Sequence, residues 1–327
     1  MPRTSSDCVL FASYNMLDLF ESRESAGPDH YKLVTEVIGE LDADVLAVQE
    51  IRAESAASAR ARLRRLAVDV GMQCVVADSG GRSNRAGQSN RAGRTALAAG
   101  SRGYHCGLMW RAGSDVVPGS FRESGAGRLW HSAGWAIFRF GGRLVRHGVF
   151  HATPFGRELR VQENQVLLAM LAAGEDADLP LLIGADWNCE SADLVRDEPD
   201  GPTRLYEPRD PFAGVTWADD MVHQCAFDYD ESGARRHWAD RSAGEVLVAG
   251  GLTDAAAALR APWQPTVGYF PGDGYGDRGI VRRIDAIRLT RQVLPALRGY
   301  RVTDTALARR TSDHLPVSVE YQPADMQ

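Results

Sequence analysis

Short runs of β-type residues, each ended by turn residues, recur along the whole chain and constrain its fold more than any other feature. They extend from CVLFASYN near the beginning to LPVSVEY near the end. Helical periodicity interrupts them clearly over Tyr31–Leu41, Ala53–Val70 and Arg157–Ala173. Because other strands follow each other without a helix between them, an α+β sandwich fits better than a strictly parallel sheet.

The length and composition fit one globular domain. The chain has 327 residues, of which 44% are hydrophobic and 24% charged, and this supplies enough apolar side chains for a sizeable core. Two packed sheets with flanking helices reach this length as a single unit. We therefore expect one domain over residues 1–327, with loop insertions at 79–103 and 190–265.

Charge and cysteine usage narrow the classes of function. A formal net charge of -6 argues against a general basic surface that would hold duplex DNA by its phosphates. Five widely spaced cysteines without a C-x-x-C pair predict neither a disulfide framework nor a structural zinc site. No signal-peptide pattern or long apolar run is found, so we expect a cytoplasmic monomer without membrane insertion.

Polar side chains stand at or just after the ends of many predicted strands, where sheet scaffolds commonly present functional groups. Each of them alone is more often a turn or surface residue, and only the set as a whole indicates chemistry. The set comprises Asn15, Glu50, His151, Asp186, Asn188, Asp285, Asp313 and His314.

Cleavage of a phosphate ester needs a hard cation, a positioned water and donors around the phosphorus. Carboxylates such as Glu50 and Asp313 are oxygen ligands suited to Mg²⁺. Asp186 and Asn188 stand two residues apart, so on an extended segment both side chains would face the same water or phosphate oxygen. A histidine held by a carboxylate has a defined tautomer or stays protonated, which suits phosphate binding.

The ordered series SYN, VLAVQE, FHATP, IGADWN, RRIDAI and SDHLP resembles the motifs of the endonuclease/exonuclease/phosphatase superfamily. That superfamily includes deoxyribonuclease I, exonuclease III and the inositol polyphosphate 5-phosphatases. The resemblance extends from about Ser13 to Glu320, apart from 79–103 and 190–265. It implies a two-layered β-sandwich flanked by helices, of the deoxyribonuclease I type. It also implies a Mg²⁺-dependent phosphoric ester hydrolase, with Mn²⁺ as an alternative ion.

The resemblance implies roles for the matched residues of the first motifs and the metal site. Glu50 matches a metal ligand, and Asp313 is expected to reach the same metal. Asp186 resembles the residue that orients or deprotonates the attacking water, and Asn188 the residue that steadies the water and the phosphate. Asn15 resembles an active-site asparagine that contacts the phosphate or metal region.

Two histidines complete the set implied by the resemblance. His314 resembles a phosphate-contacting histidine whose ring is held by Asp285. His151 lies in a His-x-x-Pro context similar to the deoxyribonuclease I branch, whereas abasic-site endonucleases tend to have tyrosine there. We assign His151 phosphate binding or protonation of the leaving group, although no acidic partner for it stands out around YHCGLMW.

The first motif departs from the superfamily pattern. Many repair nucleases have an aspartate two residues after the first asparagine, and Leu17 stands at that position here. Asp18 follows one residue later and, on a regular strand, would face the opposite side. The sequence therefore predicts no metal contact through Asp18.

Three hypotheses for the substrate stay open. A phosphatase or phosphodiesterase acting on a small molecule or lipid headgroup is favoured slightly by the acidic net charge. A nuclease acting on DNA or RNA is the alternative, since the same catalytic groups serve both classes. A binding protein that has lost catalysis is disfavoured by the full set of motif residues.

The arginine-rich segment from Ser79 to Gly103 supplies the first testable hypothesis. It contains a duplicated SNRAG pentamer and no acidic residue, and it is either a polar surface loop or a mobile basic flap that contacts phosphates. Its arginines are Arg82, Arg85, Arg91, Arg94 and Arg102.

Deletion of residues 82–94 is expected to separate the two interpretations. If the segment neutralises phosphates, the deletion raises KM for a polyanionic substrate. It also flattens the salt dependence of KM, because binding through fewer phosphate contacts releases fewer counterions. A small phosphomonoester serves as the control substrate and should be hardly affected. Steady-state kinetics at several salt concentrations measure both, and identical salt slopes with and without the deletion would exclude the flap.

Overall fold

The computed structural model describes residues 8–21, 29–79, 93–124, 127–198, 200–270 and 279–327. In these segments two sheets of seven strands each pack face to face. Helices cover the outer face of each sheet. The predicted two-layered α+β sandwich with flanking helices is therefore confirmed.

The first sheet contains the first and last long strands of the chain. Its strands are β1 Val9–Leu19, β2 Val45–Arg52, β3 Met72–Gln73, β6 Leu97–Ala98, β7 Tyr104–Arg111, β19 Leu297–Val302 and β20 Val317–Tyr321. Their order is β19-β20-β1-β2-β7-β3, with β6 also paired to β7. Only β1 and β2 are parallel to each other, and helix α1 (His30–Leu41) connects them.

The second sheet repeats this arrangement with the middle part of the chain. Its strands are β8 Asp115–Val116, β9 Arg122–Ser124, β10 Ala133–Phe140, β11 Arg143–His151, β12 Leu181–Asp186, β17 Thr253–Asp254 and β18 Asp285–Leu289. Their order is β17-β18-β12-β11-β10-β8, with β9 also paired to β10. The parallel pair is β11 and β12, and helix α3 (Arg157–Ala172) connects them.

Shorter elements complete the fold. Three two-stranded ribbons are β4 Val75–Val76 with β5 Arg94–Thr95, β13 Leu194–Arg196 with β14 Thr203–Leu205, and β15 Cys225–Tyr229 with β16 Arg235–Ala239. The other α-helices are α2 Ala56–Asp69, α4 Ser242–Ala249, α5 Ala255–Ala258 and α6 Ala306–Thr311. Short 3₁₀ turns occupy Asp219–His223, Arg291–Ala296 and Pro323–Asp325. Among the described residues, none of the helices combines the length and apolarity needed to cross a bilayer.

The three helices predicted from periodicity correspond to α1, α2 and α3. In α1 the buried side chains Val34, Val37, Ile38 and Leu41 follow the spacing of one helix face. The predicted second helix begins later than expected, because Ser55 caps it by accepting a hydrogen bond from the Ser58 amide. Periodicity thus located the helix bodies, and the cap at Ser55 set the first residue of α2.

The segment 79–103 differs from the expected loop insertion at its carboxyl end. Residues 94–98 form β5 and β6, and Ala96, Leu97 and Ala98 are completely buried. Because β6 pairs with β7, Ala96 and Ala98 enter the core between the sheets, and Leu97 packs under the helices on the outer face. Residues 80–92, which include Arg82, Arg85 and Arg91, lie outside the described residues.

The segment 190–265 is integrated into the domain more tightly than a surface excursion. Helix α4 packs with α3 on the second sheet, and β17 extends that sheet at its edge. Ion pairs with little exposure also hold the segment in place. Displacing it would leave charged side chains buried without partners, which is costly. The ion pairs join Arg283 to Asp254 at 2.6 Å, Arg288 to Asp193 at 2.9 Å and Arg241 to Glu207 at 2.5 Å.

The two sheets approach each other closely at Gly184, on the strand that leads to Asp186. A Cβ at Gly184 would lie 2.6 Å from the Cβ of Ser13 on the opposing sheet. Gln49 fills the adjacent space and donates to the Ser13 hydroxyl at 3.1 Å. Glycine is therefore required for the spacing of the sheets at this point.

Replacing Gly184 with alanine is expected to destabilise the fold by roughly 1–3 kcal/mol, the usual cost of overpacking. The added methyl group must push β12 away from β1. Thermal unfolding followed by circular dichroism measures the change. Gly39→Ala is the matched control, because a Cβ there meets nothing within 4 Å, and equal melting temperatures for the two variants would contradict the argument.

Candidate active site

The carboxyl ends of the two parallel strand pairs meet at one edge of the sandwich. Asn15 and Glu50 come from β1 and β2, whereas His151 and Asp186 end β11 and β12. The Asn15 Nδ2 atom lies 3.1 Å from both Glu50 Oε1 and Asp186 Oδ2. Asp285 reaches the same edge because β18 runs antiparallel to β12 and begins opposite Asp186.

A cavity of about 340 Å³ lies at this edge. It collects residues that are distant in sequence, as the motif series predicts. The predicted residues that line it are Glu50, His151, Asp186, Asn188, Asp313 and His314. Asn15 and Asp285 do not belong to its described lining; both are buried and contact lining residues from behind.

Asp186 is the hub of the polar contacts. Its Oδ2 atom lies 3.3 Å from His151 Nε2 and 3.7 Å from His314 Nε2, in addition to the contact with Asn15. Its Oδ1 atom accepts from the Asn188 amide at 2.9 Å. Burial alone would raise the pKa of Asp186, but the two histidines and this amide lower it, so the carboxyl group stays ionised.

Asp285 and His314 form a buried hydrogen-bonded pair. The His314 Nδ1 atom lies 2.8 Å from Asp285 Oδ2, within the reach predicted from the sequence. The Thr266 hydroxyl accepts from the Asp285 amide at 3.2 Å and fixes the beginning of β18. Burial lowers the pKa of His314, but the surrounding aspartates outweigh it and raise that pKa well above its ordinary value. This favours the protonated form of the ring, whose Nε2 lies 3.7 Å from Asp186 Oδ2.

His151 has a partner that sequence reasoning did not identify. Its ring stacks on His131, with centroids 3.9 Å apart and an angle of 16° between the planes. Burial lowers the pKa of His131 well below its ordinary value. Burial acts on His151 too, but the hydrogen bond to Asp186 outweighs it and raises the pKa of His151. His131 therefore favours the neutral form, whereas His151 favours the charged form. The acidic group that contacts His151 is Asp186.

Glu50 is held at an irregular point of β2. Its φ angle is +64°, and the register between β2 and β7 shifts between Val48 and Ile51. Left-handed backbone at a non-glycine residue is strained and persists where surrounding contacts impose it. Here the Asp18 amide donates to Glu50 Oε2 at 2.8 Å, and Asn15 Nδ2 donates to Oε1. Asn15 therefore orients Glu50 and Asp186, and of its predicted contacts with the phosphate or metal region the structure has the one to Glu50, the predicted metal ligand.

Asp18 lies on the cavity side, contrary to the prediction from strand alternation. Leu17 and Asp18 have φ angles of +49° and +48°, and the register of β1 shifts between Asn15 and Leu19. This bulge rotates the chain, so that Asp18 lines the same cavity as Glu50. Arg52 holds its carboxylate, with Nε 3.4 Å from Oδ1. The sequence offered no signal for the bulge.

Asn188 also departs from extended backbone. Its φ angle is +49°, so the prediction that Asp186 and Asn188 share one side of a strand is wrong in its geometry. The two residues nevertheless line the same cavity, because the turn returns the Asn188 amide to Asp186. The side chain donates to the carbonyl of Ala152 at 3.0 Å, which ties the end of β12 to the end of β11.

Two groups of side chains could hold a cation. Ligand atoms of Asp186, Asp285 and His314 lie within 4.8 Å of one another. In that cluster the ligand atoms already contact one another or Asn15, with His314 Nδ1 2.8 Å from Asp285 Oδ2 and Asp186 Oδ2 3.1 Å from Asn15 Nδ2. The carboxylates of Asp18, Glu50 and Asp313 line the cavity beside it, and an all-oxygen donor set of this kind fits Mg²⁺ or Mn²⁺.

The arginines expected to bind substrate have different positions. Arg94 forms an ion pair with Glu123 and lies over the Phe121 ring, 5.3 Å from its centroid. It does not belong to the described cavity lining. Arg102, from the same segment, and Arg282, which sequence reasoning did not select, do line the cavity. The cationic contribution of the segment to the described cavity is therefore Arg102.

The sequence profile of the Endonuclease/Exonuclease/phosphatase family matches residues 12–314 of the chain. A search of curated proteins gives no match. Solved structures resemble the fold over nearly the whole chain, at identities that establish the fold alone.

Three of these structures illustrate the likeness. An endonuclease/exonuclease/phosphatase from Bacteroides vulgatus is 16% identical, with a TM-score of 0.58 and coverage of 96% of this chain and 98% of that one. A mannosyl-6-phosphatase from Bacteroides thetaiotaomicron is 16% identical, with a TM-score of 0.51 and coverage of 95% and 98%. An AP endonuclease from Archaeoglobus fulgidus is 16% identical, with a TM-score of 0.52 and coverage of 96% and 99%.

Asp285→Asn is expected to lower kcat/KM for bis-p-nitrophenyl phosphate by about a hundredfold or more, the usual range for a lost acid–base contribution. Because the Asp285 carboxylate raises the pKa of His314, its removal lowers that pKa. The alkaline limb of the pH–rate profile should therefore move to lower pH. Asp304→Asn, which removes an ion pair with Arg309 on the surface, is the control. An unchanged profile in a folded Asp285→Asn protein would contradict this assignment.

Proposed function

The chain belongs to the Endonuclease/Exonuclease/phosphatase family, and from this premise we propose that it hydrolyses phosphate esters with a bound divalent cation. The reaction is in-line attack of water on phosphorus, without a covalent enzyme intermediate. The observation that carries the proposal is the convergence of Glu50, Asp186 and His314 on one cavity, drawn from both sheets. Ionised carboxylates and an imidazolium placed together provide water orientation and charge stabilisation at the same point.

The cation is proposed to be held by Glu50 and Asp313, with Asp18 as a further carboxylate. Mg²⁺ is the first choice and Mn²⁺ the alternative, because all three donors are hard oxygen ligands. When bound, the ion would neutralise negative charge that develops on the phosphate. The protein prepares the site in advance, since Asn15 and the Asp18 amide hold both oxygens of Glu50.

Asp186 is proposed to orient the attacking water. Its lowered pKa keeps it ionised, so that it can accept a hydrogen bond from the water. The water proton passes to it only as the new P–O bond forms, because the attacking water then becomes strongly acidic. His314 and Asn188 would donate to the phosphate oxygens, with Asp285 keeping His314 protonated. His151 would protonate the leaving oxygen, which its raised pKa favours.

The substrate is proposed to be a small molecule or lipid headgroup rather than a long nucleic acid. A cavity of about 340 Å³ is within the size range of small-ligand sites. The net charge of -6 also opposes retention of a polyanion. Cleavage of DNA or RNA is the second candidate, favoured by Arg102 and Arg282 at the cavity. A binding protein without catalysis fits less well, because every group of the proposed reaction is present.

Glu50→Gln is expected to remove at least 99% of the hydrolysis of phosphate esters, of the order found for lost electrostatic stabilisation. The amide preserves shape but removes the ligand charge. A chelator should abolish the activity of the unaltered protein, and added Mg²⁺ should restore it. Initial rates on bis-p-nitrophenyl phosphate, phosphomonoesters, RNA and plasmid DNA provide the measurement.

The control for this experiment is Glu54→Gln, at an exposed residue of the same region. It should retain the rates of the unaltered protein. Full activity of Glu50→Gln, or of the unaltered protein in excess chelator, would refute the assignment of the metal site.

A further inference from the structure

Two aromatic side chains and an arginine form one wall of the cavity on the side of His151. Trp130, Phe155 and Arg102 all belong to the lining. The Trp130 and Phe155 rings meet edge to face, with centroids 5.7 Å apart. The Arg102 guanidinium lies 3.5 Å from the centroid of the Trp130 ring. We call these three residues the aromatic wall.

The aromatic wall retains exposed area in spite of these contacts. Phe155 is 44% exposed, and Trp130 is partly exposed. An exposed phenyl ring at the mouth of a polar cavity leaves apolar surface in water, whereas a bound apolar group would cover it. The feature therefore fits a ligand surface better than a structural contact.

Buried hydrogen bonds hold the backbone of the wall in place. Glu163 of α3, which is 1% exposed, accepts from the backbone amides of both Trp130 and Thr153. Arg160 of the same helix donates to the Thr153 carbonyl at 3.1 Å. The Thr153 hydroxyl in turn accepts from the Phe155 amide at 3.2 Å. The buried polar face of α3 thus fastens both segments that carry the rings.

His131 connects the aromatic wall to the catalytic cluster. It follows Trp130 in the chain and stacks on His151. It is 3% exposed and lines the cavity. Within the described part of the chain, neither ring nitrogen of His131 has a hydrogen-bond partner. Because both nitrogens are buried, His131 contributes its stacked ring rather than a polar group to this side of the cavity.

We propose that the leaving group of the substrate carries a planar aromatic ring, either a simple aryl group or a nucleobase. The ring lies against Trp130 and Phe155 beside Arg102. This inference rests on the proposed function and names the substrate class of the same cavity. Trp130 precedes His131, whose ring stacks on His151, the proposed donor to the leaving oxygen, so the aromatic wall is assigned to the leaving side of the ester.

The physical basis is the geometry of aromatic contacts. A planar ring can stack on a guanidinium and meet an aromatic edge, whereas a saturated ring of similar size cannot reproduce either contact. Stacking of a base on aromatic side chains changes binding by about tenfold per contact. We therefore expect the aromatic wall to bind ligands with a planar ring more tightly than ligands with a saturated ring.

The test compares two inert ligands that differ only in ring saturation, benzylphosphonate and cyclohexylmethylphosphonate. Calorimetry with the full chain and Mg²⁺ measures both dissociation constants. We expect benzylphosphonate to bind about tenfold more tightly, even though the saturated ring is the more hydrophobic one. The 5′-methylenephosphonate analogues of adenosine 5′-monophosphate and of ribose 5-phosphate, which cannot be hydrolysed, form the second arm, and a larger ratio in that arm identifies a nucleoside rather than a simple aryl group.

Variants assign the preference to the wall. Phe155→Leu and Trp130→Leu should bring the ratio close to one, whereas the conservative Phe155→Tyr should keep it. Tyr229→Leu, at a ring 56% exposed outside the cavity, should leave the ratio unchanged. Thermal unfolding verifies that each variant is folded.

The outcomes separate the two proposals. A ratio near one in both arms for the unaltered protein overturns the aromatic substrate class, and so does a ratio that survives Phe155→Leu and Trp130→Leu together. Because binding of phosphonates requires no turnover, these results stand whether or not esters are hydrolysed. Absence of hydrolysis on every ester, with the aromatic preference intact, would instead overturn the proposed function.

Discussion

The site depends on one amide group that joins the two sheets. Asn15 Nδ2 lies 3.1 Å from a carboxylate oxygen of Glu50 on the first sheet and of Asp186 on the second. Two neighbouring carboxylates at one edge, of which Asp186 is buried and Glu50 partly buried, would repel each other unless donors or a cation compensate them. The amide supplies one donor to each. The sandwich can therefore bring its parallel pairs together at the edge where chemistry takes place, and the spacing at Gly184 allows the approach.

The carboxylates of the site differ in their surroundings, although they are the same kind of group. Asp186 is stabilised as an anion by His151, His314 and a backbone amide. Asp285, the first residue of β18, contacts the other ring nitrogen of His314, Nδ1. Glu50, Asp18 and Asp313 line the same cavity. Under the proposed function, these carboxylates would hold the cation and the histidines would contact the phosphate, which is the division that hydrolysis of a phosphate ester requires.

Helix α3 packs on the second sheet with its apolar residues and holds the cavity wall with its buried charged residues. Its apolar residues Leu167 and Leu171 pack on the second sheet, as the periodicity predicts. Its buried Arg160 and Glu163 instead bind backbone groups next to His151 and Trp130. A charged residue on the inner face of a helix would ordinarily weaken the prediction of an amphipathic helix. Here those charges anchor the segments that form the cavity wall, so the helix fixes both the proposed catalytic residue His151 and the aromatic wall.

The sequence by itself determined the fold class, the bodies of α1 to α3, and the strand-end residues that converge on the cavity, because period and motif are local properties of the chain. It could not determine the orientation of Asp18, since a bulge with two left-handed residues overrides strand alternation. It gave no signal for His131, Arg282 or the aromatic wall, whose roles arise from contacts between segments far apart in the chain. The segment 190–265 looked peripheral for the same reason: its buried ion pairs join residues such as Asp254 and Arg283, whose partners only the tertiary structure selects.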